Sequence, residues 1–169
     1  MRLYIVRHAI AIPRGTPGIK DEERALTEEG IEKMHRAAEG LRSLDYVPEM
    51  IWSSPLTRAW QTAEILREVF GKNVELRLSP ALAPAAARRD LYREIGLYKE
   101  KLESLMLVGH QPSLGEIIGE IAWGSAENYV DLKKGGACVL DLESRKGMPK
   151  GSVIALLTPS ILRQIAVNK

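Results

Sequence analysis

Six short apolar runs, most of them separated by stretches long enough for a helix, leave this chain few ways to fold. The runs at 2–6, 49–53, 74–78, 104–108, 136–142 and 152–157 have the β-branched, aliphatic and aromatic content of buried strands. Between the first two, residues 27–44 carry Ile31, Met34, Ala38 and Leu41 at helical spacing. Thr27 is placed to cap that helix, with Glu28 and Glu29 favouring the positive end of its dipole. A second helix is predicted over 55–70, with Ser54 as N-cap, Pro55 at the first helical position and Gly71 just beyond the end. Further helices are predicted over 85–103 and 113–123, and GMPKG (147–151) reads as a hairpin-type turn between the last two strands. Strands joined through helices require crossover connections. The expected fold is therefore α/β, a three-layer α/β/α arrangement with a mostly parallel central sheet, in a single domain spanning 1–169.

Charge narrows the choice of partners. The chain has 24 basic and 22 acidic residues, a net charge of +2, too balanced for the concentrated basic field that nucleic acid requires. Any anion must be gripped by a few placed groups. No apolar run approaches the ~20 residues of a membrane span, no signal-peptide layout opens the chain, and the lone Cys138 reads as a small buried hydrophobe in a strand. A cytoplasmic protein that binds neither membrane nor nucleic acid is expected.

In open α/β sheets, ligands bind beyond the carboxyl ends of the strands. Arg7 and His8 follow the first strand, WSSPLTRAWQTA with Arg58 follows the second, and Gly109-His110 follows the fourth. Two of the three histidines thus fall at strand-to-helix junctions. Arg58 lies in the first turn of its helix, where the dipole disfavours a cation unless an anion is present. Each feature has an ordinary explanation alone: a surface Arg-His pair, a bridge from Arg58 to Glu28 or Glu64, a capping role for His110. Their coincidence at one rim favours a pocket for a compact, multiply charged oxyanion, because guanidinium matches phosphate oxygens two at a time. His35, beside the first helix's apolar stripe, reads as a partly exposed surface residue.

With these residues the chain resembles the histidine phosphatase superfamily, the phosphoglycerate-mutase-like fold. The Arg-His-Gly signature corresponds to Arg7-His8-Ala9, the second signature to SSPLTRAWQTA with Arg58, and the third to Gly109-His110 followed by QPSL. The likeness runs from Leu3 to about Trp123. RALTEEG (24–30) and LTPSILR (157–163) are similar to the short SixA-type branch, the phosphohistidine phosphatases. The resemblance implies that His8 is the nucleophile and becomes transiently phosphorylated, and that Arg7, Arg58 and His110 bind the phosphoryl group. Arg24 is a further phosphate-binding candidate. No metal or other cofactor is implied.

Two departures matter. Ala9 replaces the usual glycine, a problem only if that backbone needs a positive φ or a very close approach. After the third strand, where mutases and ester phosphatases of the superfamily place a carboxylic acid, the chain reads SPALAPAAARRD, with no carboxylate before Asp90. Asp90 or a residue of the loop 9–26 is then the candidate general acid. An alkoxide leaving group gains ~10²–10⁴-fold from such an acid, whereas imidazole leaves more easily. The expected activity is hydrolysis of phosphohistidine on a partner protein. The alternatives are a small-molecule phosphomonoesterase with the same four residues and a phosphoprotein-binding module without turnover. Arg14, Lys20, Arg88 and Arg89 are candidates for contacting an acidic partner.

Overall fold

The computed structural model describes residues 1–98, 101–143 and 148–167. Six strands, β1 (Arg2–Arg7), β2 (Met50–Ser53), β3 (Glu75–Leu78), β4 (Ser104–Gly109), β5 (Ala137–Leu142) and β6 (Gly151–Leu157), form one sheet in the order β3-β2-β4-β1-β5-β6. The pairs β1–β4, β2–β4 and β2–β3 are parallel; β5 runs antiparallel to both its neighbours. Part of the turn expected at 147–151 lies outside the described residues.

Alternation along the strands builds two cores. Tyr4 and Val6 of β1, with Met106 and Val108 of β4, face one layer; Leu3 and Ile5, with Leu105 and Leu107, face the other. The first layer holds α1 (Glu28–Ser43) and α2 (Thr57–Phe70), which contribute Met34, Ala38 and Leu41, and Ala59, Ala63 and Leu66. The second holds α3 (Arg88–Tyr98) and α4 (Ser113–Trp123), with Leu91, Ile95, Leu114, Ile118 and Ile121. Burying each such leucine or isoleucine stabilises the fold by ~1.5–3 kcal/mol. Cys138 is fully buried as a free thiol, which pushes its pKa up to about 12. Among the described residues no helix is long and apolar enough to cross a membrane.

The structure changes three expectations. Helix α2 starts at Thr57 with Leu56 at its N-cap, so Pro55 precedes the helix, and the Ser54 hydroxyl accepts from the Leu56 amide at 3.3 Å in the turn before it. Among the described residues of the 85–103 span, helix α3 occupies Arg88–Tyr98, and a 3-10 turn at Pro80–Leu82 precedes it. A fifth helix, α5 (Pro159–Val167), lies against α1 where no helix was expected. Its sequence signal is weak because Leu162 is its one buried side chain. What admits it is Gly40, where a Cβ would stand 2.1 Å from the Leu162 carbonyl oxygen.

Candidate active site

Strand register brings the distant signatures together. Arg7 is level with Gly109 across β1 and β4, and Ser53 with Val108 across β2 and β4. The pairing continues one residue past the strands: the His8 amide donates to the Gly109 carbonyl at 3.0 Å and the Ser54 amide to the Val108 carbonyl at 3.0 Å. His8 and His110 therefore leave adjacent parallel strands side by side, with ring centroids 5.1 Å apart. Ala9 is not among the residues with positive φ, so alanine is accommodated without backbone strain. Its amide donates to the Thr62 hydroxyl at 3.0 Å, and that hydroxyl donates to the Arg58 carbonyl at 2.7 Å, tying the first turns of α2 to the segment after His8.

His8 Nδ1 lies 2.7 Å from the Ala9 carbonyl oxygen. A carbonyl only accepts, so Nδ1 carries the hydrogen and Nε2 keeps a free lone pair. His110 Nε2 lies 2.8 Å from the Ser54 hydroxyl, and its Nδ1 is buried with no partner. Arg7 donates from Nη1 to the Leu132 carbonyl at 2.6 Å and lies 3.9 Å from Asp131; its Nε is buried and unpaired. Arg58, only 2% exposed, likewise has an unpaired buried Nε. Buried donors without acceptors cost about 1–3 kcal/mol each, which an anionic occupant would remove.

The loop 9–26 supplies a residue that sequence reasoning missed. Asp21, in a 3-10 turn at Asp21–Glu23, accepts from Arg58 through both its backbone oxygen (2.7 Å) and its carboxylate (3.2 Å). The same carboxylate accepts from Arg14 at 2.9 Å and Arg24 at 3.0 Å. The anion facing Arg58 is thus Asp21, rather than Glu28 or Glu64. Arg24 reaches Arg58 only through Asp21, and its other contact is the Ile12 carbonyl at 2.7 Å. The one signal that pointed toward Asp21 is its place in the loop 9–26, a long irregular stretch holding Pro13, Gly15, Pro17 and Gly18. Asp90 is half-exposed and lies 3.6 Å from Arg93 and 4.0 Å from Arg89, and these arginines, rather than the four rim residues, are its charged partners among the described residues. Arg88 is taken up by Glu116 and Glu120, the latter at 3.0 Å, so it braces α3 against α4 instead of awaiting a partner. His35 is half-buried on α1.

A model described as histidine phosphatase superfamily (branch 1) matches residues 3–85. An uncharacterized protein of Picosynechococcus sp. is 38% identical over 141 residues, 80% of this chain and 82% of the relative. The chain belongs to the histidine phosphatase superfamily. Within it, the fold is similar to that of the protein histidine phosphatase SixA complexed with tungstate, at TM-score 0.84 and 22% identity, covering 96% of this chain and 99% of that one. The SixA protein of Agrobacterium tumefaciens matches at TM-score 0.78 and 25% identity over 94% of this chain and 97% of its own. The α-ribazole phosphatase of Shigella flexneri matches at TM-score 0.71 and 17% identity over 94% and 97%.

Electrostatics in this candidate site keep both imidazoles neutral. Burial is the main force lowering the His8 pKa to about 3, with Arg58, Arg7 and Lys134 adding to it. Burial, then the neighbouring His8 and Arg58, lower His110 to about 3. Below a pH near 6.5 the unfolded chain binds protons on these two residues that the folded chain refuses. Stability therefore rises with pH between about 3 and 6.5 and is lost as pH falls through that window, at up to ~1.4 kcal/mol per pH unit for each imidazole. Urea unfolding near pH 7 and near pH 5 should show a smaller acid loss in a His8→Asn/His110→Asn variant than in the parent. Equal losses would mean that the two rings titrate normally in the folded state.

Proposed function

We propose that the chain is a phosphohistidine phosphatase acting on a partner protein, through a phosphorylated His8. The observation that carries this reading is the state of Asp21. Among the described residues it is the carboxylate that contacts Arg58, and hydrogen bonding from Arg14, with the charges and bonds of Arg58 and Arg24, holds its pKa down to about 2. Such a group is ionised at neutral pH and has no proton to give an alkoxide. A phosphoimidazole protonated on its other ring nitrogen departs as neutral imidazole without a proton from the enzyme. The site thus suits cleavage of P–N better than of P–O bonds.

The residues divide the work. The free Nε2 lone pair of His8 attacks phosphorus in line as the bond to the substrate imidazole breaks. Arg7 and Arg58 meet the charge that spreads over the equatorial oxygens. The Ser54 hydroxyl already accepts from the Leu56 amide, so its hydrogen is available to His110 Nε2. His110 then carries its own hydrogen on the unpartnered Nδ1 and donates it to a phosphoryl oxygen. Water next attacks the phosphorus on His8, releasing phosphate and returning the imidazole to its starting state.

A panel of phosphohistidine peptides and proteins against metabolite phosphomonoesters tests the reading. Efficiency, kcat/KM, on the best phosphohistidine substrate should exceed that on the best ester by roughly 10²-fold or more, the lower end of what a missing acid costs ester hydrolysis. A single ester cleaved better than every phosphohistidine substrate would establish a small-molecule phosphomonoesterase, and binding without turnover a recognition module.

A further inference from the structure

A basic cleft opens beside the segment that follows β1. It has a volume of about 200 Å³, and its lining includes Ala9, Lys33, Met34, Lys134, Gly135 and Arg163, with no carboxylate. Its position relative to the site is set by backbone bonds: the Gly135 amide donates to the carbonyls of Arg7 at 3.0 Å and His8 at 3.2 Å. Lys134 is therefore carried next to the nucleophile, and its charge is among those felt by His8. At the other end, Arg163 of α5 also lines an open groove of about 460 Å³ between α1 and α5, together with Arg36. Lys33 pairs with Glu29, and Arg36 lies 3.9 Å from Glu32. Among the described residues, Lys134 and Arg163 have no acidic partner within ion-pair distance.

On the phosphohistidine reading above, we infer that this cleft is a second, specificity-determining subsite that takes an acidic segment of the partner protein. Carboxylates flanking the phosphohistidine would lie along Lys134 and Arg163 while the phosphoryl group enters between His8 and Arg58. Two observations favour a polypeptide over a small anion. Arg163 lines both this cleft and the larger groove that holds Arg36, so the cations extend over two adjoining hollows, and the partly exposed Ile10 and Pro159 place apolar surface beside them. Arg88, by contrast, is braced by two glutamates and is not free in the same way.

Two phosphohistidine peptides of equal length, one flanked by glutamates and one by glutamines, provide the test, with p-nitrophenyl phosphate as a small ester. The parent should prefer the acidic peptide by roughly ten-fold in kcat/KM at low salt, the sum of two partly exposed ion pairs. The preference should shrink at high salt. Arg163→Glu should reduce it several-fold and Lys134→Gln should reduce it as well, while Arg163→Glu leaves p-nitrophenyl phosphate turnover within about two-fold of the parent. Equal rates on the two peptides, or a preference untouched by both substitutions, would overturn the subsite. Fluorescence anisotropy with the unphosphorylated peptides separates the two hypotheses. If neither phosphopeptide is hydrolysed but the glutamate peptide still binds more tightly through Arg163, the functional reading fails and the subsite stands. If inorganic pyrophosphate displaces that peptide with an Arg163-dependent affinity well above the peptide's own, the cleft serves a second phosphate of a small substrate and the proposal is overturned.

Discussion

His8→Ala should abolish turnover, by on the order of 10⁴-fold or more, as expected when a covalent nucleophile is removed. The loss should come without collapse of the fold. His8 follows β1 rather than filling either apolar core, and its backbone amide bond to Gly109 does not involve the side chain. Rapid-quench labelling of the parent with a phosphorylated substrate should trap phosphate on His8 in a form stable to base and labile to acid, the behaviour of a P–N bond. The alanine variant should show no label. His110 is the informative control, because its ring lies 5.1 Å away in the same pocket. Label on His110, or on Ser53 or Ser54, would reassign the nucleophile; near-normal turnover in the alanine variant would remove His8 from the chemistry altogether.

Arg58→Ala should be the second most damaging change. One preorganised charged donor in such a site is worth roughly 3–4 kcal/mol, a loss of about 10²–10³-fold in kcat. A further effect follows from its contacts with Asp21, at 2.7 Å and 3.2 Å, through which Arg58 anchors the loop 9–26. Arg58→Lys should restore only part of the rate, since an ammonium lacks the planar fork that meets two oxygens at once. Inhibition by inorganic phosphate should weaken in parallel, because the same guanidinium serves ground and transition states. Full activity in the lysine variant would reduce Arg58 to a structural tie between α2 and the loop.

Much of the architecture was legible in local pattern. The runs that became β1 and β4 are apolar at every interior position, and because successive side chains of a strand point to opposite faces, such runs announced strands buried on both sides. The stripe Met34, Ala38 and Leu41 likewise announced α1, and Thr27 caps it by accepting from the Gly30 amide at 3.0 Å. Once the strands were located, the rule that ligands gather at carboxyl ends drew Arg7, His8, Arg58 and His110 to one rim before any distance was known. Capping chemistry was less decisive. The Ser54-Pro55 pair has the composition of a helix start, yet the helix opens at Thr57 and the Ser54 hydroxyl faces His110.

What periodicity cannot report is which distant groups meet. Asp21 and Arg58 stand 37 residues apart, and nothing in either local sequence specifies their bond; it depends on how the loop 9–26 folds back over α2. The same holds for α5, a nine-residue helix with one buried side chain, whose place is made by a glycine on another helix. Arg88 had the composition of a free basic patch until α4 brought Glu116 and Glu120 to it. By itself the sequence determined the alternation of strands and helices and the chemical types at the strand ends, because these follow from backbone geometry over a few residues. Only the tertiary structure decided which charges are neutralised, which donors are left without partners and where a basic cleft lies open, because those depend on contacts between segments far apart in the chain.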